Sequence, residues 1–119
     1  IADQRYDQAR KDVDFIQRYI FPGSCIPSVT ALVSASTKAS DFSLIQAQDF
    51  GSHYARTLKK WHEVFNAKSE EVSVLGYSDD FKRMWQFYLS YCEGGFAERS
   101  IGVNHLVFAK PKAMVQYSI

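Results

Sequence analysis

The sequence predicts a mostly helical α/β fold that makes physical sense as the trailing edge of a larger sheet. Two observations carry that reading. Only two runs look like strands, 42–48 and 102–109, and more than fifty residues separate them. The stretch between them has the patterning of two long amphipathic helices. A two-stranded sheet is marginal alone, so the earlier strands of such a fold are expected to lie outside this sequence. At 119 residues the chain is otherwise long enough for one core.

Each element follows from local chemistry. Residues 3–18 are polar and charged until Val13, Phe15 and Ile16, which predicts a loop and then a short helix over 12–18. Phe21-Pro22-Gly23-Ser24 stops it, because proline lacks the backbone donor and glycine suits turn dihedrals. Pro27 fits the first turn of a helix over 27–39, with Val29, Leu32 and Val33 apolar. The first strand, FSLIQAQ, ends at Phe50-Gly51, and Ser52 is the expected N-cap of a helix over 53–74. Tyr54, Leu58, Trp61 and Phe65 share one face of that helix, while Arg56, Lys59, Lys60 and Glu63 lie largely on the other. Gly76 closes it. Asp79 or Asp80 is the expected cap of a helix over 80–98, with Phe81, Trp85, Tyr88, Cys92 and Phe96 as its apolar stripe. Gly94-Gly95 within that stripe predicts close packing or a kink. The last strand ends at Lys110-Pro111.

Composition excludes several classes. Hydrophobic residues make up 46% and aromatics 15%, which argues against disorder. A net charge of +1 lacks the basic excess of a nucleic-acid binder, so no nucleic-acid partner is expected. No apolar run approaches the roughly 18 to 20 residues of a membrane span, so a membrane role would be peripheral. Cys25 and Cys92 form neither a CxxC pair nor a metal spacing, and reduced thiols in a cytoplasmic protein are expected. His53, His62 and His105 have no ligand spacing, and no metal site is expected.

Four stretches, in order, resemble the C-terminal portion of the cyclopropane-fatty-acyl-phospholipid and mycolic acid cyclopropane synthases: YIFPGSCIPS (19–28), DFGSHYARTLKKW (49–61), FKRMWQFYLSYCEGGF (81–96) and NHLVFAK (104–110). The resemblance implies a class I, Rossmann-like, S-adenosylmethionine-dependent methyltransferase fold. Ile1 would then fall near the end of the fifth strand, 42–48 would be the sixth and 103–109 the antiparallel seventh. It divides the chain into core pieces at 12–50 and 102–110 and a helical acyl-chain insertion at 52–98. One departure is Ser24, which stands where relatives usually carry a second glycine.

The implied reaction transfers a methyl group to a cis double bond of a phospholipid acyl chain, with bicarbonate taking the proton before the ring closes. By similarity, Tyr54 and Cys92 match positions around the bicarbonate. A neutral phenol suits that task, since it donates to an anionic base without neutralising it. Without the resemblance, Tyr54 reads as a core tyrosine and Cys92 as a small buried hydrophobe. Trp61, Phe65, Phe81, Trp85 and Tyr88 read as core residues of two packed helices, some of which would line the acyl tunnel. The donor site is expected outside this sequence, because no glycine-rich turn occurs in it. The chain alone is therefore expected to be inactive. Further expectations are a peripheral location on the inner membrane surface and a homo-oligomer. Two rival readings stay open: a non-cyclising acyl-chain or amine methyltransferase, and a non-catalytic helical lipid-binding module.

Overall fold

The computed structural model describes residues 1–114. In chain order they form α1 (Asp3–Ala9), a π-helical turn (Ile16–Ile20), α2 (Val29–Ala39), β1 (Ser43–Asp49), α3 (Gly51–Ala67), α4 (Ser69–Val74), α5 (Asp79–Ala97) and β2 (Asn104–Ala109). The strands pair antiparallel, from Ser43 opposite Ala109 to Asp49 opposite Asn104. The register shifts between Leu44 and Gln46, leaving Ile45 as the extra residue of a bulge. The helices α3 and α5 pack as an antiparallel hairpin rooted at the sheet.

Several local expectations need correcting. Residues 3–9 are helical, not a loop, because the Asp3 carboxylate accepts from the Thr30 amide at 3.1 Å and ties α1 to α2. The expected helix over 12–18 begins later, where Asp14 and Gln17 exchange side-chain and backbone hydrogen bonds of 2.9 and 3.0 Å. Pro27 precedes the second helix. Its cap is Ser28, a buried residue whose hydroxyl accepts from the Ala31 amide. Ser52 is not a cap either: α3 starts at Gly51, whose amide is taken at 2.8 Å by the Asp49 carboxylate.

The expected helix over 53–74 is broken at Lys68, whose dihedrals leave the helical region. Asn66 and Ser69 flank the break, and both residue types favour helix ends over interiors. Gly76 closes α4 at a φ of 93°. Ser78, not Asp79 or Asp80, caps α5 by accepting from the Phe81 amide. The two aspartates occupy the first turn instead, where negative charge meets the positive end of the helix. Gly95 confirms the expected close packing, since a Cβ there would lie 3.0 Å from the Ile101 side chain. Gly94 faces open space.

The core is small. Leu58 on α3 and Leu89 on α5 are 1% and 3% exposed, and they are the buried large apolar residues among those described. Ile26, Leu32, Phe42 and Leu44 remain exposed on the sheet side.

Candidate active site

The hairpin decides which side chains can meet. Its first turn on α3 lies against the last turns of α5, so Tyr54 comes to Phe96 at a ring separation of 4.8 Å. One turn and more along, the Ser90 hydroxyl lies 3.3 Å from His62 Nδ1, and farther out the Gln86 amide donates to Asn66 at 2.7 Å. These rungs fix the two helices in register. The edge of Tyr54 also meets Trp61 on its own helix at 6.0 Å.

On α5 the expected aromatic stripe is real and continuous. Tyr77 stacks on Phe81 at 4.5 Å, Phe81 on Trp85 at 5.6 Å, and Trp85 meets Tyr88 at 4.9 Å. Phe21, from the segment before α2, packs edge-on against Tyr88. The stacked rings run as far as Tyr88, whose ionisation burial disfavours, with Cys92 and Tyr54 adding to the effect. Trp61 is 49% exposed and lines an open face, and Phe65 makes no ring contact with the stripe among the described residues.

Burial sets the chemistry at this point. It pushes the Cys92 thiol up to about 11, with the Asp14 carboxylate adding to the effect. Burial also raises Tyr88, with Cys92 and Tyr54 contributing. Cys92 therefore stays a protonated thiol at neutral pH, a weak donor and not a nucleophile. Tyr54 and Cys92 could both donate to a small anion without neutralising it. Against that, the pair brings no positive charge, and the nearby Asp14 would repel an anion. Cys92 and Cys25 are both free, and no cluster of metal-ligating side chains occurs among the described residues.

A second feature escaped the sequence reading. An open cleft of about 800 Å³ lies between the start of α2, the start of α3 and the approach to β2. Its polar wall is Asp49, whose carboxylate takes both the Gly51 amide and, at 3.0 Å, the Arg99 guanidinium. Gly51 and Gly102 let the chain segments meet there: a Cβ on Gly51 would lie 3.4 Å from the Gly102 Cα. The glycines and the aspartate before a helix start were visible signals. What hid the cleft is that Arg99 and Asp49 are fifty residues apart.

A nucleotide-type donor takes the free amides of a glycine-rich strand-to-helix turn. At the one strand-to-helix turn among the described residues, the amides of Phe50, Gly51 and His53 are already bonded to Val103, Asp49 and Phe50.

The whole arrangement is that of the C-terminal part of an S-adenosylmethionine-dependent methyltransferase fold, mostly helical and carrying two antiparallel strands. Residues 1–106 match the family model for mycolic acid cyclopropane synthetase, and the chain belongs to that family. It is 38% identical over 82 residues to the tuberculostearic acid methyltransferase UfaA1 of Mycobacterium tuberculosis, covering 69% of this chain and 19% of that protein. It is 38% identical over 96 residues to the cyclopropane-fatty-acyl-phospholipid synthase of Escherichia coli K12, covering 81% of this chain and 24% of that one. Among solved structures it resembles mycolic acid cyclopropane synthase CmaA1 complexed with SAH and CTAB. The TM-score is 0.74 at 27% identity, over 88% of this chain and 35% of the other. The chain therefore spans about a fifth to a quarter of the length of these curated relatives.

Proposed function

We propose that this chain supplies the C-terminal part of an S-adenosylmethionine-dependent methyltransferase that adds a methylene bridge across a cis double bond of a phospholipid acyl chain. The observation that carries the reading is the family match over residues 1–106, joined to the half-buried aromatic stripe from Tyr77 to Tyr88. An unbranched acyl chain needs an apolar track with few polar atoms, and stacked rings provide one. In this reading 12–50 and 102–110 belong to the sheet layer, and 52–98 is the insertion that walls the acyl site. Phe81, Trp85 and Tyr88 would form the stacked part of the apolar wall, and Trp61 and Phe65 of α3 would extend it outside the stack.

Bicarbonate would supply the base that removes a proton from the carbocation formed after methyl transfer. Tyr54 and Cys92 would orient it by neutral hydrogen bonds, and Asp14 would oppose it unless a cation from elsewhere in the protein balances the site. The donor would be held by the part of the fold that the relatives carry beyond this stretch, leaving this chain inactive alone. The protein would work at the cytoplasmic face of the membrane as a peripheral enzyme. No helix among the described residues is long and apolar enough to cross a bilayer. Exposed Ile26, Leu32, Phe42 and Leu44 favour self-association of the isolated chain, as a homo-oligomer.

The resemblance to a tuberculostearic acid methyltransferase, not named a cyclopropane synthase, keeps a non-cyclising acyl-chain methyltransferase in view. The test is transfer of labelled methyl from the donor to phospholipid vesicles bearing cis-unsaturated chains, using the full-length protein that carries this segment. Label in the acyl chain supports the reading. Label in an amine head group, or none in lipid, overturns it.

A further inference from the structure

The two most exposed large apolar residues of the helical hairpin lie together at its end. Val74 and Leu75 are 87% and 74% exposed, and Tyr77 is half-exposed beside them. They sit on a turn that is held firmly. The amides of Leu75, Gly76 and Tyr77 all bond back to carbonyls of residues 71 to 73, and Lys82 links Asp79 and the Ser73 hydroxyl, each at 2.7 Å. A rigid turn that presents three apolar side chains to solvent carries a standing cost in water.

Resting on the acyl-chain reading above, we propose that this turn, Val74-Leu75-Gly76-Tyr77, is a lipid-contacting tip that seats the hairpin in the interfacial layer of a bilayer. Three observations choose lipid over other occupants. Three side chains cannot supply the roughly 800 Å² per partner that a stable protein–protein interface takes. They do suffice for shallow insertion, with a tyrosine at the depth where its ring is buried and its hydroxyl wet. Most of the surrounding charges are paired locally, as Lys68 with Glu71, Lys82 with Asp79 and Arg83 with Asp80, while Glu70 is in no ion pair among the described residues. That leaves no charge block for an oppositely charged partner and suits a zwitterionic surface. Finally, the tip is continuous with the acyl track: Tyr77 is the first ring of the stack that runs through Phe81 and Trp85 to Tyr88. A chain drawn from the bilayer at this tip would meet apolar rings as far as Tyr88.

The test is co-sedimentation of the full-length protein that carries this segment with phosphatidylcholine vesicles. Wild type should bind, and the double variant Val74→Ser/Leu75→Ser should bind at least roughly tenfold more weakly, from the loss of two buried side chains. Both positions are exposed, so the fold should survive, as circular dichroism would verify. Val13→Ser, at a site 72% exposed but remote in sequence from the tip, should bind like wild type. Equal binding by the tip variant, binding only to anionic vesicles, or a tip variant that loses self-association and keeps vesicle binding would each overturn the proposal. The methyl-transfer reading is judged separately, by label transfer, so either can fail alone.

Discussion

Tyr54 at the start of α3 and Phe96 at the end of α5 lie with ring centroids 4.8 Å apart, 42 residues apart in sequence. That contact carries Tyr54 to the end of the hairpin where the last turns of α5, and with them Cys92, lie. In the full-length enzyme, Tyr54→Phe should keep this ring packing and lose only a donated hydrogen bond. Turnover should fall by about ten- to a thousandfold at limiting bicarbonate. Wild-type turnover under those conditions would remove Tyr54 from the site.

The small core concentrates stability in two residues. Leu58→Ala and Leu89→Ala should each destabilise the chain by about 2–5 kcal/mol, since neither cavity can reach solvent to refill. Chemical denaturation followed by circular dichroism reads this directly.

Adjacent glycines should respond with opposite signs. Gly94→Ala places a methyl in open space on a helix and should stabilise by about 0.5–1 kcal/mol. Gly95→Ala drives a methyl to 3.0 Å from Ile101 and should destabilise by about 1–3 kcal/mol. Matched thermal melts of the two variants decide it.

The two thiols should separate by pH. Cys25 is exposed and should react at once with a thiol reagent near pH 8. Cys92, pushed up from 9.0 to about 11, should react about a hundredfold more slowly than an ordinary thiol there. The linkage has a definite sign. Between pH 9 and 11 the unfolded thiol has lost its proton and the folded one has kept it, so stability falls as pH rises through that window. Below pH 9 this contribution is fully present. Unfolding midpoints measured across that range for wild type and Cys92→Ala would show the difference.

Periodicity was enough to read the hairpin, the two strands and the stripe on α5 from the residues alone, because each depends on spacing within one element. The caps were less legible. Ser78 and Asp49 take roles that the sequence reading places on neighbours one to three positions away, and serine and aspartate compete for such roles on nearly equal terms. α1 was missed because its support is Thr30, far along the chain. The same reason hid the Asp49–Arg99 cleft. Tyr54 and Cys92 come from the resemblance, and only the fold reveals that the Asp14 carboxylate adds to the burial that raises Cys92.

The central claim is that the methyl carbon ends in an acyl chain. Proton-coupled carbon NMR of lipid extracted after turnover, with the donor methyl labelled, locates that carbon directly. The account predicts a labelled ring methylene with two attached protons and loss of the cis olefinic signals. Label found only as an N-methyl group of the head group, with the olefinic signals intact, would contradict it.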